Sequence, residues 1–175
     1  MRRIPKPNPG EYPPYADMYI RLLPDDGRIL DHLWDNFRAA RKFVRAIPGE
    51  RLTHRYAPGK WSIKQILVHV VDDERIYAYR ALRFARGEKL GLIGFDQDAY
   101  AAASEADRRS LDSILQEWET VRLATIALFA NLPEASLTRI GHGSGSASDA
   151  SVRALAYHIA GHEQHHLHVI RERYL

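Results

Sequence analysis

Ala156-Tyr157-His158-Ile159-Ala160-Gly161-His162-Glu163-Gln164-His165-His166-Leu167-His168 is the stretch that decides how this chain folds. With Val152 before it and Ile170 after it, its apolar positions recur at the helical period of about 100° per residue. Val152, Ile159 and Ile170 mark the centre of one apolar face. His166 falls inside the edge of that face and His162 just beside it, one turn earlier. His158 and His165 lie further towards solvent, and His168 points the opposite way. Five of the nine histidines fall in this run. A pair four residues apart on a helix offers two imidazoles to one point in space, and imidazole is the commonest protein ligand for transition metals.

Three more stripes of the same period precede this one. Leu111, Ile114, Leu115, Trp118, Val121, Thr125, Leu128 and Leu132 predict a helix over 107–131, closed by Pro133. Ile63, Ile66, Val70, Tyr77, Ala81 and Phe84 predict one over 62–86, where Ser62 and Gln65 match a capping box and Arg86-Gly87 ends the pattern. Leu30, Leu33, Trp34, Phe37, Val44 and Ile47 predict one over 25–46, stopped by Pro48-Gly49. The histidine run belongs to a last helix over 149–173.

Between the stripes, residues 88–103 carry glycines and no steady period, and read as a loop with one short helix. Gly141-His142-Gly143-Ser144-Gly145-Ser146 reads as a flexible loop; no Gly-Lys-Ser/Thr follows, so it is not a phosphate-binding P-loop. Residues 1–24 hold six of the nine prolines, with Tyr12, Tyr15 and Tyr19, and read as an extended arm whose tyrosines pack across the domain surface. No strand-like alternation occurs. The expected fold is all-α: a four-helix bundle over 25–175 behind an arm over 1–24.

At 175 residues the chain fits one domain. The absence of cysteine removes disulfides, thiolate ligands and a cysteine nucleophile, leaving imidazole and carboxylate as metal ligands. No apolar run is long enough for a membrane span and no signal-peptide core is present, so a cytoplasmic location is expected. The net charge of +3 comes largely from arginines scattered over every segment, which argues against a nucleic-acid-binding face.

On the helix over 62–86, His69 and Asp73 lie along one border of the apolar stripe. Three histidines, His69, His162 and His166, therefore line the seams between helices, where bundles build metal sites. Two ligands from one helix and one from another leave a coordination position open, as reactive metal sites do. The expected distance from imidazole nitrogen to a zinc-like ion is about 2.0–2.2 Å, with His158, His165 and His168 outside it. Glu74 and Glu163 project from the apolar sides of their helices. Buried carboxylates are costly unless paired, so each is expected to hold an arginine or a tyrosine; the alternative is service to the metal site, with Glu163 as candidate general base. Asp73, one turn after His69, can orient it. His162-Glu163-Gln164-His165-His166 also spells the zinc-protease motif, but only nine residues follow it and no strand is available to bind a peptide.

Pro58-Gly59-Lys60-Trp61-Ser62-Ile63-Lys64-Gln65-Ile66-Leu67-Val68-His69, continuing through Asp73-Glu74-Arg75, resembles the second-helix signature of the DinB/YfiT-like superfamily. Ala160 to His166 and Arg171-Glu172-Arg173-Tyr174-Leu175 resemble its final helix, and Glu11-Tyr12-Pro13-Pro14-Tyr15 resembles the arm of one subgroup. The resemblance implies an up-down-down-up bundle, often a homodimer, with a divalent metal, usually nickel or zinc, on His69, His162 and His166. It also implies a small-molecule substrate. Family members include thiol S-transferases that use a low-molecular-weight thiol, a thiol-dependent isomerase, and proteins labelled only as metal-dependent hydrolases. A bound water would give a hydrolase and a bound thiol a transferase; a non-catalytic metal- or ligand-binding module is the alternative. Nothing in the sequence decides among these.

Overall fold

A computed structural model describes residues 2–143 and 149–175. Its helices are α1 (Asp17–Ile20), α2 (Ile29–Arg45), α3 (Ile63–Ala85), α4 (Gln97–Ala103), α5 (Leu111–Ala130) and α6 (Val152–Arg173). A two-stranded antiparallel ribbon joins β1 (Ile140–Gly141) to β2 (Ala150–Ser151).

Three of the four long helices start where a serine caps them. Ser62 accepts from the Gln65 amide while Gln65 reaches back to the Ser62 amide, the reciprocal box expected from sequence. Ser110 caps α5 through Ser113, and Ser151 caps α6 through Ala154. Each such cap is worth about 1 kcal/mol. These caps correct two expected starts: α5 begins at Leu111 rather than 107, and α6 at Val152 rather than 149. The first long helix starts at Ile29, not Asp25, because Gly27 adopts a φ of 68° and its carbonyl accepts the Ile4 amide at 2.8 Å. The left-handed conformation there is available cheaply only to glycine.

Side-chain pairs fix the topology. Arg41–Glu119 and Arg45–Asp112 run α2 against α5. Glu74–Arg122 with the Lys64 ammonium on the Arg109 carbonyl run α3 alongside α5. His69–His162 and Tyr77–His158 run α3 against α6. Asn36–Gln164 and Phe43–Arg171 run α2 alongside α6. The four long helices are thus up, down, down and up.

Two apolar clusters fill the bundle. One holds Leu33, Tyr77, Phe129 and Ile159; the other holds Phe37, Val71, Trp118 and Leu167. At the waist between them sit three buried charges, Glu74, Arg122 and Glu163. Arg122 Nε and Nη2 donate to the two Glu74 oxygens at 2.9 and 2.8 Å, Nη1 donates to the Leu33 carbonyl, and Nη2 lies 2.7 Å from Glu163 Oε2. The sequence pattern had faced Val121 and Leu128 inward on this helix; Arg122 and Phe129 are the buried residues.

The arm carries helical turns that the prolines had not suggested: a 3-10 turn over Pro14–Ala16 leads into α1. It covers the outer face of α6, so every residue from Val152 to Glu163 is buried. Gly161 permits the crossing, since a Cβ there would stand 2.2 Å from the Tyr19 carbonyl oxygen. Glu11 latches the arm: its carboxylate accepts Ser151 Oγ and Arg153 Nε, each at 2.8 Å, and its carbonyl accepts the Ser151 amide at 2.8 Å.

The Arg153 hydrogen bond, opposed by burial and helped by Ser151, holds the Glu11 carboxyl down from 4.5 to about 2. A depressed folded-state pKa contributes stability above the unfolded value and loses it as pH falls through the folded one. The arm should therefore loosen between pH 4.5 and 2, and Glu11→Gln should cost about 2 kcal/mol at neutral pH, given the partly exposed pair. Urea titrations at pH 7 and 3 check this; the variant should show a smaller difference between the two. Among the described residues, no helix is long and apolar enough to cross a membrane.

Candidate metal centre

The antiparallel crossing of α3 and α6 brings His69 and Asp73, one turn apart, against His158, His162 and His166, each one turn from the next. His162 Nε2 lies 3.1 Å from His69 Nε2 and 3.0 Å from His166 Nε2. Among the described residues, these three form the group whose ligand atoms all fall within 4.8 Å of one another. His69 and His162 are buried and His166 is half-buried.

Burial disfavours the imidazolium form and so lowers the pKa of all three. His162 and His166 are pushed well below 6.5, by desolvation first and by neighbouring histidines second. His69 is also lowered by burial, with Asp73 and Asp98 working against it. At neutral pH the cluster is therefore three neutral rings. A neutral imidazole nitrogen has either one lone pair or one proton to offer. His162 Nε2 cannot make two good hydrogen bonds, one to each neighbour, with that single site. A cation accepting all three lone pairs resolves the conflict, and three nitrogens on a tetrahedral zinc would be about 3.3–3.4 Å apart. The donor set and its spacing fit a divalent metal.

The surroundings hold the rings in place. Asp73 Oδ2 is 3.3 Å from His162 Nδ1, which turns Nε2 towards the cluster. The Trp61 ring packs on His69 with centroids 4.7 Å apart and lies near-parallel to His166 at 6.4 Å. Trp61 is itself fixed, donating Nε1–H to Asp98 Oδ1 at 3.0 Å while its carbonyl accepts the Tyr174 hydroxyl at 2.7 Å. Tyr19, delivered by the arm, stands edge-on to His158, His162 and His165. Burial pushes its hydroxyl up to about 12, so it stays protonated.

The cluster borders two chambers. One, of about 540 Å³, includes His162, Asp73, His158, Tyr77 and residues 95–98 in its walls. The other, of about 370 Å³, includes His166, Trp61, Lys60 and Tyr174. A larger groove of about 620 Å³ between α2 and α6 touches none of the three histidines. Within the segment 88–103, residues 95–98 line the first chamber. His142 lines neither chamber and pairs with Asp149 at 2.9 Å; residues 144–148 of the loop expected to be flexible lie outside the described residues.

His158 was expected towards solvent and is buried, because the arm lies over it and Tyr77 stacks on it at 3.8 Å. His165 is half-buried, and exposed His168 pairs with Glu172 at 3.0 Å. Glu163, the candidate general base, is fully buried beside Arg122 and lines neither chamber. Glu74 and Glu163 do hold an arginine, but the same one. Tyr19 and Tyr77 were read only as an arm tyrosine packed on the surface and a member of an apolar stripe, and Asp98 was not singled out; their aromatic and acidic types carry no spacing signal that ties them to α6.

Residues 29–170 match the DinB superfamily profile. A Bacillus licheniformis protein named "Putative metal-dependent hydrolase" is 29% identical over 155 residues, covering 85% of this chain and 87% of its own. An Oceanobacillus iheyensis protein of the same designation is 28% identical over 127 residues, covering 71% and 70%. Among solved structures, YfiT from Bacillus subtilis, described as a "probable metal-dependent hydrolase with an unusual four-helix bundle topology", superposes with a TM-score of 0.72 at 17% identity, over 95% of this chain and 90% of its own. With most of its length matched by the family model, the chain belongs to the DinB superfamily.

Proposed function

We propose that His69, His162 and His166 hold a divalent metal ion, zinc or nickel, through their Nε2 atoms, and that the chain is a metal-dependent hydrolase of a small molecule. The convergence of the three Nε2 atoms, with that of His162 3.1 Å from His69 and 3.0 Å from His166, carries the reading. Such an ion acts as a Lewis acid and lowers the pKa of a water or thiol beside it. The chain's own residues bind and orient. The Asp73 carboxylate, 3.3 Å from His162 Nδ1, holds that ring by its charge, Trp61 and Tyr19 exclude water from the rings, and the chamber beside His162 receives the substrate. Glu163 is assigned to the interior charge cluster and not to proton transfer.

The names of the two sequence relatives favour water over a thiol as the activated group. A panel of esters and amides, run with the metallated chain beside a thiol cosubstrate and small electrophiles, tests this. Hydrolysis without added thiol is expected; turnover only with thiol would make the chain a transferase, and silence throughout a binding module.

The orienting role of Asp73 has its own test. Asp73→Asn should weaken metal binding by about 10- to 100-fold, the usual cost of losing a carboxylate behind a ligating histidine. Competition with a chromophoric chelator measures it; an unchanged affinity would leave Asp73 with no part in holding His162.

A further inference from the structure

The chamber beside His162 has a wall chemistry that runs against the rest of the chain. The protein carries a net charge of +3, yet the chamber is lined by Asp73, Asp96 and Asp98 with no lysine or arginine among the described residues that line it. Tyr15, Tyr19, Tyr77 and Phe95 supply aromatic surface around the same space. Arg80 stays outside it: its guanidinium lies 4.8 Å from the Tyr77 ring centroid and lines the narrow cleft beneath the arm.

The floor is the informative part. Asp73 is 5% exposed and His158 is 4% exposed, and both line the chamber. Asp73 Oδ2 lies 3.3 Å from His162 Nδ1 and 3.5 Å from His158 Nε2, neither contact aligned as a hydrogen bond, and among the described residues neither Asp73 Oδ2 nor His158 Nε2 has a hydrogen-bond partner. Leaving a buried polar atom unpaired is costly, so a pair of them facing a chamber asks for a ligand. A group with N–H donors and a positive charge satisfies the carboxylate, and the surrounding rings favour a cation over their faces. The rim is fixed to match. Asp96 Oδ1 accepts the Asp98 and Ala99 amides, each at 3.0 Å, and Asp98 Oδ1 accepts Trp61 Nε1–H at 3.0 Å. Exposed carboxylates alone would add little; here they stand over a buried one.

We propose that this chamber binds an organic cation, an ammonium or amidinium group, and that the substrate class is therefore cationic. The word substrate rests on the hydrolase reading above; the cation preference rests on the chamber alone.

Isothermal titration of the purified chain with benzamidinium, and with neutral benzamide of the same shape, tests the preference, with metal content measured on the same samples. Protonated benzamidinium has N–H donors and no lone pair to give a metal. The expected result is benzamidinium binding at least tenfold tighter than benzamide. Its advantage should shrink at least threefold in the Asp96→Asn/Asp98→Asn double variant, compared at the metal content measured for each sample. Equal or weaker binding of benzamidinium overturns the proposal, as does no binding of it, or an advantage undiminished both in the double variant and in Asp73→Asn. The hydrolase reading fails separately: a chain without metal, or one silent to every ester and amide, still reports whether the chamber prefers the cation.

Discussion

Arg122→Ala is expected to destabilise the bundle by about 3–5 kcal/mol, the usual cost of removing one partner from a buried ion pair. That is a large part of the 5–15 kcal/mol typical of a domain. The reason is geometric. Arg122 is fully buried and serves Glu74, Glu163 and the Leu33 carbonyl at once. Without it, two carboxylates at the waist of the bundle face each other with no cation. Burial already pushes Glu163 up to about 7, with Arg122 pulling the other way, so both acids would have to take up protons or meet water. Replacing Glu74, Arg122 and Glu163 together with Leu, Met and Leu should cost far less, because a packed apolar waist replaces the charges without leaving any unpaired. Urea unfolding followed by circular dichroism compares the two. A loss below 1 kcal/mol in Arg122→Ala would mean that the waist is not held as described.

His162→Ala is expected to lower affinity for zinc or nickel by at least about 100-fold, exceeding the loss typical of an outer partner. His162 is the hub, since both short nitrogen contacts end on it. His69→Ala and His166→Ala should also strip the ion. His158→Ala should retain it, because that ring faces Asp73 and Tyr77. Helix content should survive in all four, since the two apolar clusters do not include these rings. Metal per chain after dialysis, measured by plasma mass spectrometry beside far-ultraviolet circular dichroism, decides. Unchanged metal in His69→Ala and His166→Ala alike would remove the assignment.

The helical count was enough to bring His69, His162 and His166 together, because all three lie at the borders of apolar stripes and four stripes admit few packings. It placed Ser62 and Gln65 as a cap for the same reason: the signal is local. It failed where a distant segment changes a residue's surroundings. His158 lies on the outer side of α6 by period, and only the arm, more than a hundred residues upstream, makes it a buried residue. Arg122 escaped because a period weighs side chains by hydropathy, and a guanidinium satisfied by two carboxylates looks like surface until its partners are seen. Trp61 was visible as part of a signature, but its contact with two of the histidines depends on how the segment before α3 folds back onto α6.

Crystals of the metallated chain, measured above and below the zinc and nickel absorption edges, should show one anomalous peak per chain, bound by the Nε2 atoms of His69, His162 and His166, with no fourth protein side chain on the ion and its open side towards the chamber that contains Asp73. A peak bound elsewhere on the chain, or no peak from protein given stoichiometric metal, would overturn the three-histidine assignment.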